Sequence, residues 1–182
     1  MKRYFSLFLF GSLILPLLDM FHTWSGTAYY PHPVFLKMAW WVPIEFGLAA
    51  VALGQVHMTI ERRFPSPRWF RNSLASSFAI FALSYFISAY LGAHSALQLG
   101  LIVLLTAFNF IRNEHSLTRI LLACVVAIGG CTFESFLGWS NQFVYSRPDF
   151  GYINTWLPFL YLNASIALFH LVQKLHHPRD AV

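Results

Sequence analysis

The chain alternates long apolar blocks with short polar stretches, at about Tyr4 to Met20, Met38 to Ile60, Asn72 to Leu91, Ala96 to Ile111, Leu117 to Trp139 and Thr155 to Val172. Each block holds roughly 16 to 23 residues, and about 20 suffice for a helix to cross the hydrocarbon core of a bilayer. The longest gap is about 17 residues, which leaves no room for a separate domain outside the membrane. The pattern predicts an all-α polytopic membrane protein, a six-transmembrane-helix bundle forming one domain over residues 1–182.

Direction follows from the cations. Lys2, Arg3, Arg62, Arg63, Arg68, Arg71, Arg112, Arg119, Lys174 and Arg179 fall in the termini and alternate loops of one side, leaving Lys37 and Arg147 opposite. The positive-inside rule then places both termini in the cytoplasm. The opening Met-Lys-Arg and apolar run could be a signal peptide, but the run is long for one and lacks a clear small-residue cleavage site, so it is taken as the first span.

Composition agrees: 57% of the 182 residues are hydrophobic and 10% charged, against about 25% charged in soluble domains. The sequence pI near 9.5 does not imply nucleic acid, because the cations sit at helix ends where they meet anionic headgroups. Cys124 and Cys131 lie seven residues apart on one helix, about 10 Å along its axis and too far for a disulfide. Asn163-Ala164-Ser165 is a formal glycosylation sequon, but it lies inside the sixth span.

Two acids, Glu45 and Glu134, fall inside spans, where a carboxyl group is costly and is commonly protonated, paired or functional. Glu45 stands about seven residues from the outer end of the second span and Glu134 about five from that of the fifth, both roughly 8 to 10 Å deep. If those helices adjoin, the acids share one polar pocket. Pro43 would free a carbonyl near Glu45 and open the helix there. Ala123, Ala127 and Cys131 continue a small-residue stripe below Glu134, letting a helix or lipid tail approach. Trp156, Asn163 and His170 recur every seven residues on the sixth span, and Tyr85 and Ser88 lie at matching depth on the third.

Each feature has a plainer reading: the acids as bonded packing elements, Asn163, Tyr85 and Ser88 as interhelical hydrogen-bond partners, His57 and His170 as structural histidines. His176 and His177 lack a third ligand for a metal site. No phosphate loop, Cys-x-x-Cys, His-Glu-x-x-His or nucleophile elbow occurs, so no catalytic residue, cofactor or metal is assigned. Tryptophans and tyrosines at the span ends form an interfacial belt. The spacing of Ala50 and Gly54 would suit a homo-oligomer or packing within the chain.

Two segments carry a more specific signal. Ala39-Trp40-Trp41-Val42-Pro43 followed by Gly47, and Tyr145-Ser146-Arg147-Pro148-Asp149-Phe150-Gly151-Tyr152-Ile153-Asn154-Thr155-Trp156-Leu157-Pro158, resemble the Insig (insulin-induced gene) family, as does Leu97-Gln98-Leu99. The likeness runs from about Phe35 to the C-terminal tail. It implies a non-enzymatic membrane protein that binds a sterol-like or diacylglycerol-like lipid among its helices and regulates a membrane-protein partner. The membrane would be the plasma membrane of a prokaryote or the endoplasmic reticulum of a eukaryote, and the small size and Glu45, in place of the family's cysteines, suggest a prokaryotic relative. Where animal members carry a partner-binding Trp-Trp-x-x-Asp run, this chain reads Phe108-Asn109-Phe110-Ile111-Arg112-Asn113-Glu114.

The ligand-binding candidates are therefore Glu45, Glu134, Trp41, Tyr85, Ser88, Asn163 and Trp156, and the partner-binding candidates Glu114 and Asp149. Asp149 also suits a cap on the following turn, with Tyr152 and Trp156 anchoring the last span at the interface. The alternative is a small proton-coupled transporter, or a lipid-modifying membrane enzyme, using Glu45 and Glu134; the two halves of the chain show no internal repeat of the kind inverted-topology carriers have.

Overall fold

A computed structural model of the chain describes residues 2–65, 74–92, 95–113 and 116–176. Six helices follow in order: α1 Lys2–Ser25, α2 Val42–Arg63, α3 Leu74–Tyr90, α4 Ser95–Asn113, α5 Leu117–Trp139 and α6 Leu157–His176. Two short strands, β1 Ala28–Tyr29 and β2 Val144–Tyr145, pair antiparallel and tie the α1–α2 connection to the α5–α6 connection. The all-α, six-helix expectation is met, and four helices, α1, α2, α4 and α5, are long and apolar enough to cross a membrane.

The other two helices differ for different reasons. α3 is apolar but has 17 residues, about 25 Å at the helical rise. α6 packs against α2, α3, α4 and α5 and turns Asn163, Ser165, His170 and Gln173 inward, each buried. Its polarity is directed at protein rather than lipid, which lowers its hydropathy without exposing a polar group to the bilayer.

Small residues set the seam between α1 and α2, the most extensive helix pairing in the fold. A Cβ added at Gly11 would overlap the Phe46 carbonyl oxygen and the Ala50 methyl, and one at Gly54 would overlap the Leu7 side chain. The Ala50–Gly54 face expected to suit either a second copy or internal packing is thus taken by α1. α2 and α5, by contrast, do not pack along their lengths, which leaves a groove between them floored by α6.

Three placements correct the sequence reading. α2 begins at Val42 with Pro43 in its first turn, where a missing N–H costs nothing. Pro43 therefore opens no gap, and Glu45 lies in the first helical turn rather than seven residues in. α1 continues to Ser25, its end closed by Thr23 and Ser25 hydroxyls donating to the Met20 and His22 carbonyls at 3.1 Å each. Asp19 is consequently inside the bundle and buried. Trp156, expected as an interfacial anchor, is only 3% exposed because His22 and Tyr145 cover it, with ring centroids at 5.1 and 5.7 Å.

Substituting Gly11 with Leu should overpack the α1–α2 seam and cost about 1–3 kcal/mol. Thermal unfolding in detergent is the check, with Gly100→Ala, where an added methyl meets nothing within 4 Å, melting within a degree or two of the parent.

Candidate functional site

The two acids read from the sequence reach one cavity without their helices touching. Glu45 in the first turn of α2 and Glu134 in the last third of α5 line a chamber of about 100 Å³ whose remaining wall includes Phe46, Phe78, Phe81, Leu160 and Tyr161. The chamber continues into the groove between α2 and α5, about 940 Å³ and almost wholly apolar, bordered by Trp41, Leu48, Leu122 and Phe133. Glu45, Ala49, Leu53, Val126 and Tyr161 belong to both.

The acids differ in their partners. Glu134 accepts from the Tyr145 hydroxyl at 2.5 Å on one oxygen and from the Tyr161 hydroxyl at 2.6 Å on the other, so both oxygens of a buried carboxyl are satisfied. Burial pushes the Tyr145 phenol, carried by the ribbon, well above the ordinary phenol range, which keeps it a donor. The Glu45 carboxyl makes no hydrogen bond or ion pair among the described residues. Tyr85, on α3, lines the chamber and is 8% exposed, and its hydroxyl is likewise without a hydrogen-bond partner among the described residues. An unengaged carboxyl and an unengaged phenol thus face a chamber whose other polar residues, Glu134, Tyr161 and Ser165, are bonded to protein.

The remaining candidates lie elsewhere. Asn163 is fully buried; its Oδ1 accepts from Asn109 at 2.9 Å, and its Nδ2 donates to Ser84 and Thr106 at 3.0 Å each. It cross-links α3, α4 and α6 and does not border the chamber. Ser88 donates to the Tyr85 carbonyl at 2.9 Å and stands 2.7 Å from His22 Nε2. Trp41 is at the rim of the groove, edge-on to Tyr30, and Trp156 borders a different cavity at the ribbon end. Asp149 accepts from the Thr155 amide at 2.7 Å and its hydroxyl at 2.9 Å, so its carboxylate closes the turn before α6 as a cap. Glu114 lies outside the described residues.

Three features were missed. Tyr161, one of the two donors to Glu134, carried no distinguishing signal among many aromatics. Asp19 accepts from the Tyr30 hydroxyl at 2.8 Å and lies 3.6 Å from His22 Nδ1, adding a third acid to the ribbon half of the bundle. Glu61, beside the cations Arg62 and Arg63, is 3% exposed and pairs with Arg119 at 3.4 Å. Arg119 also donates to the Phe64 carbonyl at 3.1 Å and sits 4.4 Å from the Phe169 ring centroid, while Gln173 donates to Glu61 at 3.5 Å. This pair joins α2 to α5 at the end of the groove remote from Glu45 and Glu134. Among the described residues no three His, Cys, Asp or Glu side chains gather as a metal site would require.

These features define a class: an integral membrane protein built as a six-helix bundle around α6, with an acid-bearing chamber that opens sideways through an apolar groove. No established family profile matches the chain. The insulin-induced gene 1 protein of Cricetulus griseus is 25% identical over 181 residues, covering 96% of this chain and 70% of that protein. The insulin-induced gene 2 protein of Xenopus laevis is 25% identical over 180 residues, covering 95% and 83%. Among solved structures, the mycobacterial Insig homolog MvINS from Mycobacterium vanbaalenii superposes with a TM-score of 0.84, covering 98% of this chain and 96% of that one at 20% identity, and a cross-linked trimer of the same protein matches equally. The chain is Insig-like in sequence along nearly its whole length and in fold, as the two signature segments led one to expect.

Replacing Asn163 with Leu removes three interhelical bonds at about 0.6 kcal/mol each in a membrane, so stability should fall by about 2 kcal/mol. Thr132→Val, at an exposed hydroxyl bonded only to its own helix, should change little, which thermal melts of the two variants will read. Glu61→Leu should cost more, about 3–5 kcal/mol, by leaving a buried cation without its carboxylate. Adding Arg119→Met should recover much of that loss, and a double-mutant cycle measures the recovery.

Proposed function

We infer that this protein is a non-enzymatic Insig-like lipid-binding protein, which holds one membrane lipid with its polar head in the chamber and its apolar body in the α2–α5 groove. The observation that carries the reading is the pairing of Glu45 and Tyr85, a carboxyl and a phenol whose side chains have no partner among the described residues, on one mostly apolar wall. A hydroxyl on the ligand would both donate to Glu45 and accept from Tyr85. Glu134, fully engaged by its two tyrosines, would shape the roof rather than contact the head.

Size narrows the class. A chamber of about 100 Å³ admits a glycerol-sized head but not a ring system, whereas the groove of about 940 Å³ suits acyl chains. This favours a diacylglycerol-like lipid, with a sterol-like one lying in the groove as the second choice. Cytoplasmic termini, a prokaryotic plasma membrane and a regulatory membrane-protein partner complete the reading, on the basis of the cation distribution and the Insig likeness. Assembly into homo-oligomers is supported by the cross-linked trimer of the mycobacterial homolog, through faces other than Ala50–Gly54.

Native mass spectrometry of the chain extracted in mild detergent tests this. One hydroxyl-headed neutral lipid per chain is expected, and Glu45→Leu should deplete it by about tenfold, the equivalent of one lost hydrogen bond to a charged or polar group, without lowering the melting temperature. Bulk phospholipid alone in both proteins would overturn the reading.

A further inference from the structure

A second cavity lies at the ribbon end of the bundle, opposite the chain termini and apart from the acid chamber. It measures about 630 Å³ and, unlike the apolar groove, is lined about equally by polar and apolar groups. Three of its residues are more than nine-tenths buried yet hold unused hydrogen-bonding capacity: Gln98, Asn154 and Trp156, exposed by 3%, 6% and 3%. Gln98 donates through Nε2 to the Ile87 and Ser88 carbonyls at 3.3 and 2.7 Å, closing the end of α3, and its Oε1 has no partner among the described residues. Neither the Asn154 amide nor the Trp156 indole N–H makes a hydrogen bond among the described residues.

These residues are buried as wholes, but their unbonded polar atoms stay accessible from the cavity, where a water or a ligand can complete them. Asn154 supports the start of α6 through its main-chain carbonyl, accepting from Leu157 N at 3.0 Å, and leaves its side chain free. Together they offer two acceptors, Gln98 Oε1 and Asn154 Oδ1, and two kinds of donor, the Asn154 amide and the indole N–H. Adjacent hydroxyl groups, each both donor and acceptor, match that set. The rim carries one cation, Arg147, and one acid, Asp149, whose oxygens are already bonded to Thr155. One charge of each sign leaves the lining with no net charge.

We propose that this cavity binds a neutral polyhydroxylated group, a sugar or cyclitol, presented either as a free solute or as the head of a glycolipid. The site is separate from the acid chamber, and its ligand does not depend on the one held there.

The test uses the full chain in nanodiscs free of sugar-headed detergent. Saturation-transfer NMR with myo-inositol reads the free-solute source, and retention of monoglucosyl-diacylglycerol added to the nanodiscs reads the lipid source. Saturable binding of either probe, weakened at least tenfold by Asn154→Leu and by Gln98→Leu, supports the proposal and identifies the source. Asn154→Asp, nearly the same shape, carries the test if the leucine variant does not fold. Failure of both probes to bind, binding unchanged in the variants, or binding confined to inositol phosphate and abolished by Arg147→Ala would overturn it.

Discussion

The amide of Asn163 is the interaction on which the arrangement of this bundle turns. Within a bilayer, lipid tails are as apolar as leucine, so burying apolar surface between helices supplies little driving force, and close backbone approach and hydrogen bonds take its place. Asn163 uses its acceptor on Asn109 and both donors on Ser84 and Thr106, fixing α6 against α3 and α4 at one depth. Asn109 in turn accepts from Asn113 at 2.8 Å, Ser76 donates to Asn113 at 3.0 Å, and the His170 ring sits 3.2 Å from the Asn113 carbonyl. The result is a polar ladder that runs from the middle of α6 toward the chain termini, enclosed by apolar side chains. Slipping α6 by one residue would break the three Asn163 bonds and the His170 contact, which gives the central helix a unique register.

With α6 fixed, the two remaining seams take opposite forms. α1 closes on α2 through glycines, so tightly that a methyl group would overlap backbone. α2 and α5 are held apart, and the Glu61–Arg119 pair bridges them near the cytoplasmic end expected from the cation distribution, reinforced by Gln173 and the Phe169 ring. A buried ion pair is a poor source of stability compared with apolar packing, and specifying geometry is its better-attested use. Here it sets the spacing of α2 and α5 at one end and leaves the other end open around Glu45. The lateral groove is thus a consequence of where the small residues are and where they are not.

How far this was legible in the residues follows from what each signal depends on. Helix number and extent rest on local hydropathy, and all six helices lie within a few residues of the apolar blocks. The capping role of Asp149 depends on a separation of six residues to Thr155 and was equally visible. Pro43 was misread because a proline in a first turn and one in a helix interior look alike until the helix start is known. Asp19 and Glu61 border polar stretches and read as surface charge, whereas their burial depends on Tyr30 and Arg119, partners 11 and 58 residues away. The Tyr161–Glu134 bond, across 27 residues, had no local signature either.

The distribution of unused hydrogen-bonding groups separates structure from ligand chemistry more sharply than residue type does. Asn163 and Glu134 are the kinds of intramembrane residue that invite a functional reading, yet every polar atom of Asn163 and both oxygens of Glu134 are engaged by protein. Glu45 and Tyr85, on different helices, are not, and they face the same space. A polar group enclosed in an apolar wall is expensive to leave without a partner, and the cost is offset when a ligand hydroxyl or a water completes it. The chamber is one place where this fold carries such a deficit. The small volume beside Glu45 limits what completes it to a compact polar head, and the open α2–α5 seam supplies the apolar path along which the rest of such a molecule would lie.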